Sequence, residues 1–227
     1  MKPESWIERW KAGQTGFHLS HTNPWLEKCW MQVAAPPGST VFVPLCGKSL
    51  DLLWLRDQGY EVIGVEISQL AVKDFFAESG LQPQIDHIEN FERWRCDGIT
   101  LLVGDFFDLD SAMLADVASV YDRASLIALP EEMRRKYVEK KRELFAAALP
   151  TLLITLEYEQ QQMSGPPFAV DYSEVESLYR QRFRISQIVS EDILDAEPHF
   201  RSKGLTSLIE NVYLLKAKEK FAVGSSQ

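Results

Sequence analysis

The sequence predicts an α/β fold: a doubly wound, mostly parallel sheet of seven strands with an antiparallel last strand, built as a single domain over residues 1–227. Three observations carry this. Short apolar runs of strand-forming residues alternate with helical stretches from Val41 onward. The run 41–43 breaks at Gly47 into a helical stretch that ends at Gly59, and 61–66 follows as a second strand, which makes a βαβ unit. The last two runs, 183–189 and 207–215, have no long amphipathic helix between them, so they close the sheet as an antiparallel pair rather than through another crossover.

In order along the chain, residues 1–35 read as a helical cover over the ligand site. Trp6, Ile7 and Trp10 fall on one face of a helix that residues 3–5 start, either packed on the core or closing over a ligand. Asn23-Pro24 opens a second helix with Trp25, Leu26, Cys29, Trp30 and Val33 as its apolar stripe, and Pro36-Pro37-Gly38 ends it. Ser49 caps the helix of the βαβ unit, which carries Leu50, Leu53 and Trp54. Ser68 caps the next, with Leu70, Ala71, Phe75 and Phe76 inward. Residues 81–98 hold Ile85, Ile88, Phe91 and Trp94 among charges and read as either a hairpin or a loop. Strands follow at 99–103, 117–121 and 151–156, and a long helix at 131–149 places Met133, Tyr137, Val138, Leu144 and Phe145 inward. Its basic clusters, 134–136 and 140–142, interleave with Glu131, Glu132, Glu139 and Glu143 and read as a solvated face. A stiff loop, Gly165-Pro166-Pro167-Phe168, follows the fifth of these strands.

Composition narrows the function. A net charge of -9 leaves no basic footprint, so neither nucleic acid nor an anionic membrane is an expected partner, and a small molecule is. Cys29, Cys46 and Cys96 have no CxxC spacing, no signal peptide opens the chain, and no apolar run reaches the ~20 residues that span a bilayer. The expected setting is a reducing cytoplasm, and a monomer is expected because no apolar stripe is left over.

The βαβ unit carries the ligand chemistry. Its turn points bare backbone N–H groups above the sheet edge, and Glu66 stands 19 positions after Gly47, where a nucleotide-binding fold places an acid for a ribose diol. The loop lacks GxGxxG, so it makes little provision for a pyrophosphate.

The stretch VFVPLCGKSLDLLWLRDQGYEVIGVEIS, preceded by WIERWKAGQTGFH, followed by GDFFDL, YDRASLIALP and GPPF, and ending in VYLLKAK, resembles the thiopurine S-methyltransferase family in its bacterial form. The resemblance implies the class I methyltransferase sheet, S-adenosylmethionine as methyl donor, and thiopurines or related thiol, selenium or tellurium compounds as acceptors. It implies cofactor contacts at Trp10, Phe17, Leu45, Glu66 on the ribose hydroxyls, Phe106 beside the adenine, and Arg123 near the methionine end. A C-terminal arginine of the animal members, on the acceptor side, falls at His199 or, two positions on, Arg201.

The chemistry asks for little acid–base help, because a thiol with pKa near ~8.5 is partly ionised at neutral pH and an adjacent cation lowers that pKa. Arg123, with Asp122 beside it, is the candidate catalytic pair; alternatively the arginine serves the cofactor carboxylate. Gly47 lets backbone approach the cofactor. Asp105 bonds the adenine amino group or caps its turn, and Phe106 stacks on the adenine or packs in the core. Trp6 and Phe168 are candidates to wall the acceptor and exclude water. Cys46 and Lys48 read as loop residues rather than a nucleophile or a phosphate clamp, and His18 and His21 lack a third ligand, so no metal is expected. The same residues leave room for a dinucleotide-dependent oxidoreductase or a non-catalytic nucleoside-binding module.

Overall fold

The computed structural model describes residues 3–14 and 18–218. Phe17, one of the expected cofactor contacts, lies outside them. The sheet has nine strands among the described residues, not seven: β1 Thr40–Val43, β2 Glu61–Glu66, β3 Gln84–Ile88, β4 Phe91–Cys96, β5 Ile99–Val103, β6 Val117–Arg123, β7 Thr151–Glu157, β8 Phe183–Asp192 and β9 Ile209–Ala217. Their spatial order is β3-β4-β5-β2-β1-β6-β7-β9-β8. The run β5-β2-β1-β6-β7 is parallel, and β9 lies antiparallel between β7 and β8, so the expected closing pair is present.

The two additional strands are the stretch left open between hairpin and loop. Residues 84–96 pair as an antiparallel hairpin, which a second tight turn joins to β5. That turn is Asp97-Gly98, with φ of 49° and 76°, the left-handed pair a type I′ turn requires. The hairpin's outer face is held by charge: Asp86 accepts two bonds from Arg93 at 2.8 Å and one from Arg95, and Arg93 draws its carboxyl down to about 2.

Helices cover both faces. On one lie α1 Pro3–Lys11, α2 Pro24–Cys29, α3 Asp51–Asp57 and α4 Gln69–Glu78, and Leu26, Trp30, Leu52, Leu55, Phe75 and Phe76 pack onto Val41, Tyr121 and Ile154. On the other lie α6 Glu131–Leu144 and α7 Tyr172–Tyr179, whose Tyr137, Val138 and Val175 meet Phe42, Val120 and Leu153. Two short helices, α5 Ser125–Ala128 and α8 Pro198–Ser202, follow strand ends at the site described below.

Four local expectations change. The helix expected over 131–149 ends at Leu144, because Phe145 turns to extended backbone (φ -119°, ψ 105°). Leu50 is outside α3, whose Ser49 hydroxyl still accepts from the Asp51 N–H at 3.2 Å. Leu70 is exposed and Val72 takes its inward place on α4. The basic clusters of α6 are not wholly solvated: Arg134 is buried in a bidentate pair with Glu174, and Lys141 is buried at 2.7 Å from Asp122.

Candidate active site

A cavity of about 400 Å³ opens above the carboxyl ends of β1, β2, β6 and β7, where the strand order turns back on either side of β1. Its base is the loop after β1. Leu45 and Gly47 both take left-handed backbone (φ 46° and 55°), a conformation that costs a leucine about 1 kcal/mol or more. The Cys46 N–H between them is tied to the Val65 carbonyl at 3.0 Å. A Cβ on Gly47 would stand 3.2 Å from the Trp10 ring, so glycine here lets α1 close on the loop. Gly64 of β2 does the same from below, since a Cβ there would meet the Cys46 sulfur at 2.7 Å. Cys46 is thereby packed against the strand; burial, and then the Glu66 carboxylate, push its thiol well above its ordinary pKa. A thiol held protonated is not a nucleophile.

Glu66 ends β2 at the cavity, 6% exposed. Its two oxygens accept from the Gly47 N–H at 2.9 Å and the Ser68 N–H at 2.8 Å. Burial lifts its pKa, and those bonds oppose the lift without cancelling it.

Arg123 ends β6 on the same cavity. Its expected neighbour Asp122 is turned away from it, because successive residues of a strand face opposite sides of the sheet. Asp122 is fully buried on the α6 side and accepts from the Tyr137 hydroxyl at 2.8 Å and Lys141 at 2.7 Å. The partner of Arg123 is Asp51, 1% exposed, which accepts from its Nε at 2.8 Å, from the Tyr121 hydroxyl at 2.9 Å and from the Asn23 N–H at 2.8 Å. Arg123 also donates to the Ser49 hydroxyl at 3.1 Å. Burial disfavours its charge, but the Asp51 field outweighs that and holds its pKa above the usual value.

Trp6, Trp10, Leu45, Gly47, Glu66, Arg123 and His199 all line the cavity. Asp105, Phe106, Phe168 and Arg201 do not. Asp105 caps its turn by accepting from the Phe107 N–H at 2.9 Å. Phe106 is core, 4.7 Å centroid to centroid from Tyr137. The Phe168 ring lies against Gly165, leaving Pro166 and Pro167 on the cavity wall. Arg201 is exposed and pairs with Asp195, while His199, also largely exposed, lines the cavity rim with its Nδ1 3.2 Å from Glu197. Among the described residues no group of three His, Cys, Asp or Glu side chains is arranged to hold a metal.

The chain matches the thiopurine S-methyltransferase family over residues 1–218. It belongs to that family. A thiopurine S-methyltransferase of Nitrosospira multiformis is 48% identical over 218 residues, covering 96% of this chain and 99% of the relative. One of Pseudomonas paraeruginosa is 47% identical over 216 residues, covering 95% and 99%. Among solved structures, the 1,6-didemethyltoxoflavin-N1-methyltransferase of Burkholderia thailandensis, with S-adenosylhomocysteine bound, shares the fold at 12% identity, a TM-score of 0.62, and coverage of 95% and 87%. A S-adenosylmethionine-dependent methyltransferase of Anabaena variabilis does so at a TM-score of 0.61 and 12% identity, covering 95% of each chain. Membership of the thiopurine S-methyltransferase family displaces the oxidoreductase and sensor readings.

The sequence reading missed Asp51, Ser49, Tyr121, Arg9, His18 and Glu210, all of which line the cavity. Glu210 had a signal: it is a charged residue on the strand face whose next members, Val212 and Leu214, are core.

Proposed function

We propose that this cavity binds S-adenosylmethionine over the loop after β1 and a heterocyclic thiol beside it, and that the chain transfers the methyl group to the acceptor's sulfur. The residues fit the cofactor. The observation that carries the reading is Glu66, a buried carboxylate at the β2 end, fixed by two backbone N–H groups, with lone pairs left for a ribose diol. The glycine at 47 keeps the loop backbone open to the nucleoside, and Trp10 closes over it. Arg9 and Arg123 supply positive charge for the methionine carboxylate or for a developing thiolate. When bound, the cofactor supplies a sulfonium methyl, an electrophile that a soft nucleophile displaces in line. The chain's part is alignment and exclusion of water, for which Trp6, Trp10, Pro166 and Phe200 wall the acceptor side.

A monomer in the cytoplasm acting on small molecules fits the net charge of -9 and the separation of the exposed large apolar side chains, with Met31, Leu70, Ile85 and Tyr172 in four different segments. The test is formation of S-methyl product from mercaptopurine and S-adenosylmethionine, followed by mass spectrometry. No product from any thiol, selenol or tellurium acceptor refutes the reading. His199→Ala is expected to lower kcat/KM about 2–10-fold, the range of one lost hydrogen bond, and Arg201→Ala to leave it unchanged. The reverse pattern would put Arg201, not His199, at the acceptor.

A further inference from the structure

Four acids line the cavity: Asp51, Glu66, Glu197 and Glu210. Asp51 is matched by Arg123, Glu197 by His199, and Glu66 by its two backbone donors. Glu210 has neutral hydrogen-bond partners, the Trp25 indole N–H at 2.8 Å and the Asn23 side chain, and the Arg123 charge acts on it without an ion pair. We propose that Glu210 is the base that takes the proton from the methyl acceptor. This rests on the methyl-transfer reading above and assigns a residue to a step that reading leaves open.

The sheet register puts Glu210 in place. Arg123 pairs with Ile154 across β6 and β7, and Ile154 with Val212 across β7 and β9, so these three share one row and one face. Glu210 lies on the same face two residues further on, opposite Leu156 at the carboxyl end of β7. Two strand spacings, about 10 Å, separate β6 from β9. A planar heterocycle lying across β7 therefore meets Arg123 at one edge and Glu210 at the other. The groups facing Glu210 are Trp25 from α2 and Asn23, which caps that helix, Arg123 and Tyr121 from β6, and Glu197 ahead of α8. Burial raises its pKa; Trp25, Arg123 and Asn23 oppose the rise, and Glu197 adds to it. A carboxylate raised toward neutrality is a stronger base than an exposed one.

Methylation of a neutral thiol, or of its thione tautomer, forms one carbon–sulfur bond and breaks another, whose electron pair stays on the departing sulfur. The sulfonium charge disappears, and one proton must leave the acceptor, from S–H or from ring N–H. Glu210 accepts it and releases it to solvent. An acceptor that is already a thiolate has no such proton, so Glu210 selects for neutral heterocyclic thiones.

The test compares mercaptopurine with para-nitrothiophenol, a thiolate throughout the assay range, in wild type and Glu210→Gln. The amide keeps an oxygen for Trp25 and the shape of the side chain. Glu210→Gln is expected to lower kcat/KM for mercaptopurine by up to about 30-fold at neutral pH, the most a thiol of pKa ~8.5 loses when only its ionised fraction reacts, with a loss at least about tenfold smaller on the thiolate. With S-adenosylmethionine held saturating, so that the Glu66 titration does not limit the rate, the acid limb of the mercaptopurine profile is expected to vanish. A readout free of turnover is the ultraviolet band of mercaptopurine bound to the complex with S-adenosylhomocysteine: the Glu210 carboxylate opposes a second negative charge beside it, so the wild type converts the ligand from thione to thiolate at higher pH than the variant. In the intact chain, Trp25→Phe removes a bond to the charged carboxylate and is expected to move the acid limb upward. Equal losses on both acceptors, identical band titrations, or a limb that Trp25→Phe does not move would each overturn the assignment while leaving methyl transfer standing. Wild-type protein that binds S-adenosylhomocysteine and methylates no thiol, selenol or tellurium acceptor overturns both.

Discussion

Glu66→Ala is expected to weaken S-adenosylhomocysteine binding by about 10²–10⁴-fold in calorimetry, the value of two hydrogen bonds to a charged acceptor. Retained affinity would refute the ribose assignment. The variant also frees the Gly47 and Ser68 N–H groups, so the loop loses its tether to β2. Glu66→Gln separates the two effects, because an amide has one oxygen for two backbone donors and keeps half of that tether. The carboxyl's raised pKa sets the pH dependence. The folded chain holds this proton more tightly than the unfolded chain does. Its cost to stability therefore develops as pH rises from the ordinary carboxylate pKa through the raised one, and is complete above it. Cofactor affinity, which uses the ionised form, falls as pH drops through the raised value, and Glu66→Ala loses that dependence.

Arg123→Ala is expected to destabilise the fold by about 3–5 kcal/mol, because it strands Asp51 as a buried charge. For a domain of this size that lowers the melting temperature by about 6–20 °C. Transfer to any thiol is expected to slow about 10²-fold through lost positioning. The double variant Asp51→Asn with Arg123→Ala removes the stranded charge, so it recovers stability while the rate stays low. Unchanged kinetics in Arg123→Ala would remove the residue from the site.

The parallel heart of the sheet was legible because buried strands are continuous apolar runs: β2 and β5 have the bounds their residues announce. The β3–β4 hairpin was not. Both its faces carry charge, Ile85 is exposed, and the signal lay in Asp97-Gly98, a hairpin dipeptide at the far end of the segment. The site divided the same way. Residues on the βαβ unit, such as Gly47 and Glu66, follow from local spacing. Partners that meet only in the folded chain do not: Arg123 finds Asp51, 72 residues earlier, and Arg134 finds Glu174, 40 residues later. Phe106 shows the limit of reading an aromatic at a strand end, since one short turn sends its ring into the core against Tyr137.

The opposed directions of Arg123 and Asp122 bear on how this chain tolerates changes in length. Inserting or deleting one residue within β6 would swap the two, driving a guanidinium into the Tyr137 pocket and leaving Asp51 to face a carboxylate. The outer hairpin, with only β4 to satisfy on one side, has no such constraint. Length variation among functional variants should therefore gather between β3 and β4 and be absent from β6.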